Sequence, residues 1–194
     1  MNGKDTQQAP GQSPENRGAS MPASPNPKYV LRIRRIMVPI DFSEYSVSAL
    51  RYARAFAQHF GASLILLHVN EPTVFPSELG YAPIAAETLD QQLRDDAHNR
   101  LKALAAECAS EGLKADTEIR VGRPFNEIVT AAQEMDADMI IIATHGFTGL
   151  THVLMGSTAE RVVRHARCPV LVVRENEREF VAQAADSGDK QCQD

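Results

Sequence analysis

Two runs in this chain, LILL within ASLILLHVN (62–70) and MIII within DMIIIAT (138–144), are apolar at every position rather than every second one. A strand with one face in water alternates; a strand covered on both faces does not. Three further segments have strand character: RIMVPIDF (35–42), ADTEIRVG (115–122) and CPVLVV (168–173). Helical patterns separate all five. Such alternation predicts an α/β protein, a five-stranded parallel sheet with helices on both faces. Right-handed crossovers leave few ways to connect it.

The intervening stretches carry helical spacing. Ala49, Ala53, Phe56 and Phe60 share a face over 43–60, and Gly61 ends that stretch. Thr88 with Gln91 reads as a capping box opening a long helix. Its expected buried stripe is Leu89, Leu93, Ala97, Leu101, Leu104 and Cys108, stopped by Gly112. Pro124 suits the first turn of a third helix, whose apolar face is Phe125, Ile128, Val129, Ala132 and Met135. A fourth helix is expected over about 157–166.

The chain has 194 residues, 43% hydrophobic and 23% charged, the balance of an ordinary soluble domain. Segments 1–32 and 176–194 are polar, and the first is rich in Pro, Gly and Ser. They are expected to be a disordered N-terminal tail and a flexible C-terminal tail around one domain at 33–175. The net charge is -5 and the basic residues are scattered, so nucleic acid is not an expected partner. No apolar run nears the ~20 residues of a membrane helix, and the N-terminal segment lacks a signal-like apolar core. Cys108, Cys168 and Cys192 form no CxxC pair, which suits a reducing compartment. A cytoplasmic location is expected.

In open sheets of this class, ligands bind beyond the carboxyl ends of the strands, where strand order reverses. That rule points to residues 39–41, 68–70 and the segment ATHGFTGLTHVLMGST (143–158). The last spends three glycines before its helix, and glycine is entropically costly to order. The first amides of that helix lack intrahelical partners, and its dipole favours an anion. Gly146 and Gly156 would let a charge approach the backbone; Thr144, Thr148 and Ser157 add hydroxyls. The segment is neither a P-loop nor a GxGxxG fingerprint. Read from the residues alone, two accounts stand. One is a phosphate cradle. The other is a structural linker in which Ser157 and Glu160 form a capping box and Gly149 is a turn residue. Asp41 likewise either accepts hydrogen bonds from a nucleoside or caps the first helix. Pro39 cannot donate to a ladder and marks where pairing stops.

Taken together, VPIDFSEYS, LILLHV, VGRPFNEIV and IIATHGFTGLTHVLMGSTAERVVRHARCPVLVV resemble the universal stress protein family over about residues 33–174. The resemblance implies strand order 3-2-1-4-5, a Rossmann-like fold. One branch of the family binds ATP through G-x2-G-x9-G-S/T. Here the second glycine is Gly146, and Gly156 and Ser157 close the motif; Ala143 stands at the first position. The resemblance implies that Pro39, Asp41 and Val69 line the adenosine end. Ala143, Thr144, His145, Gly146, Gly156, Ser157 and Thr158 would surround the ribose and phosphates. It implies an ATP-binding stress-response sensor, with Mg²⁺ brought by the nucleotide and held mainly by phosphate oxygens and water. It implies a homodimer through strand 168–173, whose short apolar edge would otherwise be an association hazard. The alternative, favoured by Ala143, is a nucleotide-free dimeric interaction module.

No catalytic residue and no protein metal site is expected. His145, His152 and His165 lack metal-ligand spacing, and no G-x-S-x-G elbow occurs. Slow ATP hydrolysis would be a side reaction. His68 is expected as a satisfied buried histidine, and His59 and His98 as surface residues.

Overall fold

The computed structural model describes residues 30–71, 83–145, 155–174 and 181, with side chains from residue 91 onward in the second of these segments. Nine elements follow in order: β1 (Arg35–Pro39), α1 (Glu44–Phe60), β2 (Ser63–Asn70), α2 (Pro83–Ser110), β3 (Ala115–Val121), α3 (Pro124–Glu134), β4 (Met139–Ala143), α4 (Ser157–His165) and β5 (Val170–Val173). All strand pairs are parallel, and the sheet order is β3-β2-β1-β4-β5.

The unbroken apolar runs have their cause in two separate cores. Ile36, Val38, Leu64, Leu66 and Ile141 belong to one cluster, with Ala49, Leu50 and Ala53 of α1 and Leu101 of α2. Met37, Ile65, Leu67, Ile140 and Ile142 belong to the other, with Ile128 of α3 and Val162 of α4. Successive strand residues point to opposite faces, and each face is buried under helices. Truncating a fully buried member such as Ile140 to alanine costs about 2–5 kcal/mol.

Element ends follow from local chemistry. Ser43 caps α1, its Oγ accepting from Ser46 N–H at 3.2 Å. Gly61 ends it in the left-handed region at φ 65°. Pro124 opens α3 at its first turn.

Two expectations for the long helix need correction. It begins at Pro83, five residues before Thr88, so Thr88 lies inside the helix and no capping box opens it. A proline at the first helical position surrenders an amide that has no intrahelical partner there. Leu93 is 53% exposed, whereas Ala97, Leu101 and Cys108 are buried. The stripe meets the sheet only over the helix's later part. β5 is also shorter than expected, since Cys168 and Pro169 precede it. The expectations for Gly146, Thr148, Gly149, His152 and Cys192, and for both tails apart from residues 30–32 and 181, lie outside the described residues.

Candidate functional site

β1 and β4 stay paired only at Ile36–Met139 and Met37–Ile140, and then part. Hydrogen-bonding sides alternate along a parallel strand. Ile40 N–H donates to Leu67 O at 2.8 Å, toward β2, so Pro39 faces β4. Having no N–H, it gives nothing there. The chain passes from β1 to β2 and β3 on one side and then returns to place β4 and β5 on the other, so strand order reverses at this point. A cleft of about 430 Å³ opens here. Nine of the ten anticipated residues line it: Pro39, Asp41, Val69, Ala143, Thr144, His145, Gly156, Ser157 and Thr158. The tenth, Gly146, lies outside the described residues.

At one wall β2 outruns β1. The register of the two ends at Pro39–Leu67. The alternation that directs Leu67 O to Ile40 directs both N–H and C=O of Val69 to the same side, where β1 has stopped. Among the described residues neither group has a partner. A donor and an acceptor, side by side on one residue, face the cleft.

At the opposite wall α4 begins. Its N-cap is Gly156, with no side-chain cap. Ser157 is therefore the first helical residue and not the cap, which corrects the capping-box reading. Gly156 N–H donates to Thr144 O at 2.7 Å, and Glu160 N–H to Gly156 O at 3.0 Å. Among the described residues the amides of Ser157, Thr158 and Ala159 have no acceptor. Such amides and the helix dipole together favour an anion. Gly156 also has a reason independent of any ligand. A Cβ there would stand 2.9 Å from the Thr144 carbonyl oxygen. The close seating of α4 on the end of β4 requires glycine.

Asp41 sits between the walls, half-buried. Its Oδ1 accepts from Ser43 N–H at 3.0 Å and from Ser43 Oγ at 2.5 Å. Asp41 is thus not the cap of α1 but braces the residue that is, while lining the cleft. The neighbouring Phe42 is held at φ 64° and packs against the His68 ring at 4.6 Å. The Arg100 guanidinium of α2 lies 4.0 Å from the centre of the Phe42 ring. A left-handed phenylalanine is strained; the stack holds the turn that carries Asp41.

His68 has both ring nitrogens engaged. Nδ1 lies 2.7 Å from Ile40 O, so it donates there. Nε2 is then an acceptor in the neutral ring, 3.0 Å from the assigned Asn70 Oδ1. Asn70 Nδ2 is buried with no partner. Exchanging the two ends of that amide lets Nδ2 donate to Nε2, and the assignment rests on this kind of network. His68 lines the cleft at half-burial rather than lying in the core. His59 and His98 are exposed, as anticipated. His145 packs against Tyr45 at 5.9 Å, and its Nδ1 is 3.0 Å from Thr144 Oγ1.

A smaller cavity of about 230 Å³ shares Glu71, Pro124, Ser157 and Thr158 with the cleft. It adds Arg123, Phe125 and Arg161, which motif reading passed over. The available signal was spacing: Arg161 lies one turn beyond Ser157. Among the described residues no three His, Cys, Asp or Glu side chains gather as a metal site. No helix among them is long and apolar enough to cross a membrane. Burial raises the Cys108 and Cys168 thiols above their ordinary range, and both cysteines are unpaired.

The chain is a doubly wound parallel α/β protein with a cleft at its switch point, walled by an open strand edge and a helix start. The universal stress protein family model matches residues 32–174, and the chain belongs to that family. Universal stress protein MJ0531 of Methanocaldococcus jannaschii is 35% identical over 149 residues, 75% of this chain and 85% of that one. The solved structure of protein MJ0577, from the same archaeon, is 32% identical with TM-score 0.66, covering 76% of this chain and 100% of that one. A universal stress protein solved in complex with cAMP has TM-score 0.54 over 74% of this chain and 98% of that one. At 23% identity it carries the fold alone.

Proposed function

We propose that this chain is a cytoplasmic stress-response protein that binds an adenine nucleotide, ATP with its Mg²⁺, in the cleft between β1 and β4. The carrying observation is the pairing of two open backbone sets across one cleft. The donor–acceptor pair of Val69 suits a base edge with an adjacent acceptor and donor, as at N1 and N6 of adenine. The amides of Ser157, Thr158 and Ala159, without an acceptor among the described residues, suit phosphate oxygens. Asp41, between them, suits ribose hydroxyls. Bound Mg²⁺ would neutralise phosphate charge, with phosphate oxygens and water as its main ligands.

The role is binding rather than fast catalysis. His68 is committed at both nitrogens, and no lysine lines the cleft among the described residues. Ligand selective for the native state raises its stability, by ~2.7 kcal/mol at a hundredfold excess over Kd. Thermal melts with saturating MgATP are expected to shift upward, and GTP to shift them less. No shift and no heat of binding would defeat the reading.

Ala143 favours the second reading, a nucleotide-free module. It is 7% exposed, and its methyl occupies the cleft wall where the ATP-binding pattern has glycine. The same melts separate the two. Both readings include a homodimer through β5. This edge strand, VLVV, carries no charge. The other edge, β3, carries Asp116, Glu118 and Arg120, with Arg120 Nη2 2.7 Å from Glu134. Charge protects an edge from pairing, so β5 is the edge available to a second copy. Val172→Lys is expected to give monomer in sedimentation; an unchanged dimer would remove β5 from the interface.

A further inference from the structure

We infer that the smaller cavity is the seat of the distal phosphates, and that Arg123 and Arg161 make this protein selective for nucleoside triphosphates over monophosphates. This rests on the nucleotide reading of the cleft and goes beyond it by naming the residues that discriminate triphosphate from monophosphate.

The cavity begins where the cleft ends. Ser157 and Thr158, whose amides open the phosphate wall, line both. An anionic chain lying on those amides and continuing away from the cleft enters the smaller cavity. There it meets two guanidiniums from different elements. Arg123 is the N-cap of α3 and makes no side-chain capping bond. Arg161 lies one turn into α4, its guanidinium 4.9 Å from the centre of the Phe125 ring. That stack holds the planar group while leaving its N–H edge for an acceptor. Glu160, the nearest acid on α4, is engaged by Arg164 at 2.6 Å. Among the described residues no carboxylate pairs with Arg123 or Arg161. Glu71, exposed at the junction, is the acidic lining residue, so two positive charges face one negative. Arginine matches phosphate oxygens bidentately, and such bonds exceed neutral ones in strength.

A monophosphate held by the amides of Ser157 and Thr158 would not extend to these arginines; a triphosphate would. The test is calorimetric titration of AMP, ADP and ATP into the parent chain, Arg123→Gln and Arg161→Gln, with and without Mg²⁺. ATP is expected to bind the parent at least about tenfold more tightly than AMP. Each variant is expected to lose about fivefold or more in ATP affinity, with AMP unchanged within about twofold. Equal affinity of the parent for AMP and ATP would overturn the inference and leave the cleft reading standing. So would variants that weaken AMP and ATP alike. If no nucleotide binds the parent, the cleft reading falls and the inference falls with it. Both arginines are exposed, and matched far-ultraviolet spectra establish that the variants fold.

Discussion

The two ends of the sheet are built from the same strands and solve opposite problems. At the amino ends, backbone groups are closed by the protein. Asp138 Oδ2 accepts from the N–H of Arg34 at 2.7 Å and of Arg35 at 3.0 Å. Arg35 Nη1 donates to Met135 O at 2.7 Å. Arg34 O accepts from Ser63 N–H, and Arg35 O from Asp138 N–H. At the carboxyl ends, Val69 and the first turn of α4 keep groups without partners among the described residues. An unpaired polar group costs stability when buried and little when wet. The proposed nucleotide site lies at the end where backbone groups lack partners among the described residues, and the opposite end is closed by Asp138.

The comparison can be broken at either end. The largest effect is expected from Asp41→Ala, which removes the carboxylate of the open end. ATP affinity should fall about 10–100-fold, the range for hydrogen bonds to a charged group. Isothermal titration measures it, and an unchanged affinity would show that Asp41 only braces Ser43. Next comes Gly156→Ala. Its Cβ would crowd the Thr144 carbonyl, and overpacking of this kind costs about 1–3 kcal/mol. Denaturant unfolding should show that loss; a neutral variant would mean that α4 can be reseated freely.

Asp138→Ala tests the closed end. It should cost about 1–2 kcal/mol, since two backbone N–H groups exchange a carboxylate for water. ATP affinity should not move, and a drop would mean the ends are coupled. The smallest effect is ionic. Raising salt from about 0.05 to 0.5 M should weaken ATP several-fold, because exposed charge attraction is screened. AMP should respond less, which sharpens the division between the cleft and its arginine-lined extension.

The legibility of the molecule in its sequence differed by element. Apolar runs revealed β2 and β4 because burial on both faces leaves a one-dimensional mark. The long helix misled because the stripe of Leu93, Ala97 and Leu101 records periodicity without saying how far the sheet extends beneath it. Nothing local distinguishes a leucine beyond the sheet from one above it. Ser157 misled for a related reason. Ser-x-x-Glu satisfies the capping pattern, yet Gly156 N–H is drawn to Thr144 O and takes the cap position.

What the sequence determined by itself was therefore the class of architecture, the places where strands end, and the residues gathered at those ends. These depend on patterns within a few residues of one another. Only the tertiary structure decided which backbone groups lack partners among the described residues, that Gly156 answers to a carbonyl twelve residues away, and that Arg123 and Arg161 share one cavity. Those facts depend on where two strands part and how closely a helix seats on a strand end. Such distances arise only when segments remote along the chain are packed together.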